Sequence, residues 1–268
     1  MEKRVAVVFD SAGTLLHMYR VAKEMSTGHI LEDIQSTLLV AEKANRALVV
    51  LRTRFEELRS CEQDMVLYEF IEKYDIDVAI SCSSSPFPLD EVYRVIRHDP
   101  VSLKDIYDVR SLVIKRCPHI FYIAAGLIVD SRENKVPYVL STGGQMYSKT
   151  YEAIVSLREM GVDIYIASGD DAINLKGLAL SLDIPMSSVF PVATTHDKEC
   201  IVNGLKENYN IVFMVGDGMN DILALRAADV GILTSQQGDM RPPVLLEAAD
   251  IVIVDIFDVV DIVKKVTT

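Results

Sequence analysis

The sequence predicts an α/β protein built on a parallel sheet flanked by helices and interrupted early by an inserted α/β segment. Three observations lead there. The run Val5 to Phe9 is continuously apolar and rich in β-branched residues, as in a strand buried on both faces. From about Tyr147 onward, apolar strands alternate with helical stretches. Between about His17 and Gln145 that alternation breaks down.

Taken in chain order, the first strand ends at Asp10, and Gly13-Thr14 follow at once, which puts Asp10 at the strand's carboxyl end. Within the insertion, Thr37 to Val40 and Ala47 to Leu51 flank the polar stretch Glu42 to Arg46 and read as a β-hairpin, with a helix as the other reading. Met65 to Lys73 and Leu89 to Arg97 read as helices around a short strand, Val78 to Ser81. His119 to Val129 is expected to pair with Val136 to Leu140 across Ser131 to Asn134. Beyond the insertion, strands are expected at Val162 to Ala167, Val189 to Val192, Ile211 to Val215, Val230 to Leu233 and Ile251 to Val254. Helices are expected at Glu152 to Glu159, Asp171 to Leu182, Lys198 to Glu207, Asp221 to Ala227 and Val259 to Val266. The expected domains are a core of residues 1–16 and 146–268 and an inserted domain of residues 17–145. There is no internal repeat at a fixed period.

Composition narrows the function. Half of the 268 residues are hydrophobic, which excludes a disordered chain. Lys and Arg number 27 against 39 Asp and Glu, a formal charge of −12 that argues against a nucleic-acid partner. The same field repels a small anionic substrate, which then needs a local cation or a ring of backbone N–H groups to hold it. Cys61, Cys82, Cys117 and Cys200 form no C-x-x-C pair, so they read as buried or half-buried thiols in a reducing compartment. The apolar stretch after Met1 to Arg4 is too short for a signal peptide, and the run Phe121 to Val129 is too short to span a membrane. A soluble, cytoplasmic protein without membrane contact is expected. No heptad run or apolar strip specifies an oligomeric state.

Four places carry candidate chemistry, each directly after an expected strand or opening a helix. Asp10-Ser11-Ala12-Gly13-Thr14 offers a carboxylate to an electrophile and turn N–H groups to an anion. Ser168-Gly169-Asp170 reads either as a phosphate-oxygen site or as a plain helix cap. Lys198 stands at a helix start, against the macrodipole, although in isolation it reads as a solvated surface lysine. Gly216-Asp217-Gly218-Met219-Asn220-Asp221 puts two carboxylates four positions apart on a tight turn, a donor set that suits Mg²⁺.

In this order and context the four pieces resemble the four motifs of the haloacid dehalogenase superfamily. The C-terminal half is most similar to the phosphorylation domain of P-type ATPases, through Ser168-Gly169-Asp170, Asp197-Lys198, Gly216 to Asp221 with Leu223-Ala224-Leu225, and Ala228 to Ile232. The resemblance implies a Rossmann-like core with an inserted cap domain, and a Mg²⁺-dependent phosphohydrolase or phosphoryl-transfer enzyme. Asp10 would be the nucleophile that forms an aspartyl-phosphate. Asp10, the Ala12 carbonyl and Asp217 would hold Mg²⁺, with Asp221 beside them. Thr14, Ser168, Gly169, Lys198 and Asn220 would bind the phosphoryl group of a small phosphorylated substrate, with Lys198 also offsetting charge near Asp10.

One departure matters. Most phosphatases of the superfamily carry a second Asp two positions after the nucleophile, and this chain has Ala12 there. Losing a general acid–base costs about 10²–10⁴ in rate. Two further readings follow: a catalytically weak phosphate-binding or regulatory module, and a C–P bond hydrolase of the phosphonatase type. The latter would need a Schiff-base lysine from Lys23, Lys43, Lys73, Lys104, Lys115 or Lys135. The Lys-Gly-Ala signature of the P-type nucleotide-binding insertion does not occur, so ATP as substrate has no support in the sequence and an ion pump is not expected.

Overall fold

The computed structural model describes residues 4–52, 63–238 and 241–267. Cys61 and the first three residues lie outside that set. The chain divides into two compact units, Met1–Met18 with Gly144–Thr268, and Tyr19–Gly143. In chain order the strands are β1 (Val5–Phe9), β2 (Leu16–Glu24), β3 (Ile30–Glu32), β4 (Arg46–Arg52), β5 (Asp77–Ser83) and β6 (Tyr122–Asp130). They continue with β7 (Lys135–Met146), β8 (Asp163–Ala167), β9 (Val189–Phe190), β10 (Ile211–Gly216), β11 (Val230–Thr234) and β12 (Ile251–Ile253).

The first unit is a parallel sheet in the order β12-β11-β10-β1-β8-β9. All five residues of β1 are buried, as a central strand flanked by helices requires. Phe9 stands level with Val215 of β10 and with Ile166 of β8. Because the strands are parallel and in register, the loops after β1, β8 and β10 leave side by side at the carboxyl end of the sheet. The chain runs outward from β1 through β8 to β9, then returns to β10 on the other side of β1. That reversal between β1 and β10 is the topological switch point at which open α/β sheets bind ligands.

The second unit is a sheet in the order β3-β2-β7-β6-β4-β5, with antiparallel pairing of β2 to β3, and of β4 to both β5 and β6. Alternation along the strands divides its faces. Val21, Leu127, Val129 and Val139 pack with Phe70, Val95, Ile106 and Val109 from the helices Leu67–Lys73, Leu89–His98 and Leu103–Arg116. Ala22, Ile128 and Leu140 pack on the other side with Leu39 and Val40.

Most sequence-derived elements recur within a few residues, and three corrections stand out. Ser36–Ala41 is a helix, not a hairpin strand; its adjacent Leu39 and Val40 are both buried, which an alternating strand over one face does not allow. The polar stretch supposed to turn the hairpin instead ends that helix and turns at Asn45, whose φ of 65° suits an asparagine. Arg46 then anchors the junction, donating to the Leu39 carbonyl at 2.8 Å and to Asp130 at 3.4 Å. Strand β2 and the helix Leu103–Arg116 had no counterpart in the sequence reading. Cys200, expected to be buried or half-buried, is exposed one helical turn from His196, while Cys82 and Cys117 are half-buried and buried. Among the described residues no helix is long and apolar enough to cross a membrane.

Candidate active site

Strand β1 ends in a buried carboxylate. Asp10 is held in place by its own N–H, which donates to the Val215 carbonyl at 2.9 Å. The chain then turns on Gly13, whose φ is +77°. A Cβ there would stand 2.1 Å from the Asp217 carboxylate, so the close approach of the two loops requires glycine. Gly216 is constrained within its own loop, since a Cβ would meet the Asp221 side chain at 2.5 Å. Gly13 lets the Asp10 and Asp217 loops interlock, and Gly216 leaves room for Asp221.

Lys198 is the centre of the arrangement. The helix that carries it, Thr195–Lys206, starts three residues earlier than expected, capped by a reciprocal Thr194/Asp197 pair. Lys198 therefore sits inside the first turns and points inward, fully buried. Its Nζ donates to Asp10 Oδ1 and to Asp221 Oδ1, each at 2.6 Å. The surface-lysine reading is overturned. Burial alone would depress the ammonium's pKa, but Asp10 and Asp221 outweigh it and hold the pKa above the usual lysine range. Burial pushes the Asp10 carboxyl up; Lys198 opposes this, and the Asp221 and Asp217 carboxylates add to it.

Asp221 is fully buried and saturated. Besides Lys198 it accepts the N–H groups of Asp217 and Gly218, each at 3.1 Å, and so shapes the β10 loop. Asp10, Asp217 and Asp221 each offer an oxygen within 4.8 Å of the others. Three hard carboxylate donors this close suit a divalent cation such as Mg²⁺, and Lys198 alone does not balance their charge.

Thr14 is buried, and its Oγ1 has no hydrogen-bond partner among the described residues. A buried orphan hydroxyl in the turn after Asp10 fits a ligand oxygen. Ser168 is buried too, but it is not a helix cap. That role falls to Asp171, which accepts from the Asn174 N–H at 2.8 Å. Ser168 Oγ instead lies 2.7 Å from Ser11 Oγ, and both hydroxyls donate to Asp170. Burial raises the Asp170 pKa against the pull of those two donors. Gly169 and Asn220 are exposed beside the site, and Ala12 is half-buried.

Sequence reasoning missed two contributors. Ser11 joins the Ser168–Asp170 network, and Arg241 donates from Nη2 to Asp217 Oδ2 at 3.1 Å. Arg241 lies 24 residues beyond Asp217, outside every motif, so no local signal marked it.

A carboxylate-rich loop cluster at the switch point of a parallel sheet, clamped by a buried lysine, is the arrangement of a hydrolase core. The chain belongs to the haloacid dehalogenase-like hydrolases, whose family model matches residues 5–229. It is 30% identical over 263 residues to a soluble P-type ATPase-like phosphatase of Methanocaldococcus jannaschii, covering 98% of this chain and 94% of that one. It is 27% identical over 250 residues to a copper-transporting ATPase of Helicobacter pylori, covering 92% of this chain but only 31% of the transporter. Among solved structures, a zinc-transporting PIB-type ATPase in the E2.Pi state matches with TM-score 0.49 and 17% identity, over 99% of this chain and 42% of that one.

Proposed function

We propose that the protein is a Mg²⁺-dependent phosphohydrolase of the cytoplasm, acting on a small phosphorylated molecule through an aspartyl-phosphate on Asp10. The observation that carries this reading is the buried Lys198 bridging Asp10 and Asp221 beside Asp217. A pure binding pocket has no use for a carboxylate so positioned at a strand end. Asp10 attacks phosphorus and the leaving-group oxygen departs with the bonding pair. Lys198 pulls the Asp10 pKa down against burial and orients the carboxylate. Thr14 and Ser168 bind phosphoryl oxygens, with Gly169 and Asn220 at the rim. Asp10, the Ala12 carbonyl and Asp217 are the residues that would hold Mg²⁺, and Asp221 fixes their loop and the lysine. Bound there, the cation offsets the repulsion between phosphoryl oxygens and carboxylates. The unit Tyr19–Gly143 serves in this reading as the cap.

Ala12 favours a second reading, a phosphate-binding or regulatory module with weak turnover, because no acid stands two residues beyond the nucleophile. The phosphonatase alternative finds less support. Lys23 is ion-paired with Asp105 and Asp108, and its pKa is raised chiefly by the Asp108 contact, the opposite of what an amine nucleophile needs. Lys43 is paired with Glu133.

The test is a panel of phosphate esters with and without Mg²⁺, run on wild type and Asp10→Asn. The isostere keeps the strand-end packing and lacks the nucleophilic anion, so turnover should vanish while the circular dichroism spectrum is unchanged. Activity retained in a folded Asp10→Asn variant overturns the covalent mechanism. Absence of turnover in wild type, with phosphate still bound, favours the regulatory reading.

A further inference from the structure

We propose that Arg241 is the resident counter-cation of Asp217 and sets the divalent-cation affinity of the carboxylate cluster low; this rests on the Mg²⁺ reading above. Among the described residues three carboxylates and two cations make up the cluster, and the cations divide the work. Lys198 serves Asp10 and Asp221, while Arg241 serves Asp217. The cluster keeps one net negative charge for a dication where it would otherwise have two.

Several features show a built contact. The Arg241 side chain is only 9% exposed and that of Asp217 16%, so water screens the pair poorly. A guanidinium cannot relieve the contact by losing its proton. Nη2 also donates to the Thr234 carbonyl at 3.3 Å, whereas the buried Nε has no partner among the described residues. The side chain is thus aimed at Asp217 and not consumed by a network of its own.

After β11, Gln236 donates to the Thr14 carbonyl at 2.7 Å and accepts the Ile256 N–H at 3.1 Å. Gln237 pairs with both the N–H and the carbonyl of Met18, at 2.9 and 3.0 Å, and accepts from the Tyr147 hydroxyl at 3.1 Å. Gln236 is thus tied to the turn that follows Asp10, and Gln237 to the start of β2. Pro242 and Pro243 come next, and a residue before proline is confined to extended backbone, which limits Arg241's escape.

The experiment is calorimetric titration of the full chain with Mg²⁺, comparing wild type, Arg241→Lys and Arg241→Gln, with Asp217→Asn as control. Removing the charge should tighten Mg²⁺ binding about tenfold or more, the weight of one hydrogen bond between charged groups. Arg241→Lys keeps the charge but loses the planar fork, and should fall between wild type and Arg241→Gln. A flat or reversed order overturns the proposal, since a residue that merely positions Asp217 would weaken Mg²⁺ binding when lost. The lysine variant gives the sign on its own if Arg241→Gln does not fold without metal. A second readout is thermal unfolding: the rise in Tm on adding Mg²⁺ to EDTA-treated protein should be larger in Arg241→Gln than in wild type. If wild type and every variant show no Mg²⁺ binding, the metal reading itself fails, an outcome distinct from a flat order among proteins that bind.

Discussion

Removing the Lys198 ammonium tests the electrostatic centre of the fold most directly. In Lys198→Met the side-chain volume is nearly kept, but Asp10 and Asp221, each 2.6 Å from Nζ, lose their shared cation. Both carboxylates are buried, Asp10 at 3% exposure and Asp221 at 0%, so water does not replace the lost partner. Breaking one member out of a buried ion pair costs about 3–5 kcal/mol. Tm falls by about 2–4 °C per kcal/mol in units of this size, so the transition of the first unit should drop by roughly 10 °C. The sign of the pH dependence follows from Asp10, whose carboxyl pKa is already pushed up by burial. Without the lysine it rises further, so the deficit is full above that raised value and shrinks as pH falls through it. Thermal unfolding in EDTA, followed at pH 8 and pH 5, is the assay. A drop below 3 °C, or a deficit larger at pH 5 than at pH 8, would refute the argument that the lysine is the buried counter-charge of this pair.

Two more predictions address the departure at residue 12 and the second unit. Ala12→Asp should raise turnover by up to about 10²-fold for esters with poor leaving groups and leave aryl phosphates nearly unchanged, because only the former need protonation. Rates across a leaving-group series check this, and a uniform loss would mean that the small side chain makes room for substrate. Asp105 closes a reciprocal cap with Ser102 and pairs with Lys23. Burial pushes the Asp105 carboxyl up, but the Ser102 and Lys23 contacts prevail and hold it below the usual carboxylate range. Its stabilisation is therefore present above about pH 4 and lost as pH falls through the depressed value. Asp105→Ala should cost about 1 kcal/mol at pH 7, and denaturant titrations at pH 7 and pH 2.5 should show the gap closing in acid.

The parallel sheet, its helices and nearly every residue of the interlocked loops are legible along the chain. Strands buried on both faces must be continuously apolar, so Val5 to Phe9 and Ile211 to Val215 stand out, and the chemistry follows each at the strand end. Two-sided burial leaves the same mark wherever it occurs. The inserted unit resisted that reading because its strands are half-polar or short and one face is covered by a helix of only six residues, Ser36–Ala41. There Thr37 to Val40 suits strand and helix alike, and only packing against Ala22, Ile128 and Leu140 decides. Within the site, local sequence made Lys198 a surface residue. Tertiary structure reversed this by bringing Asp10 and Asp221, 188 and 23 residues away, to a single buried ammonium. Arg241 lay beyond sequence reasoning for the same reason. A counter-charge acts through space, and no spacing along the chain records which carboxylate it will meet.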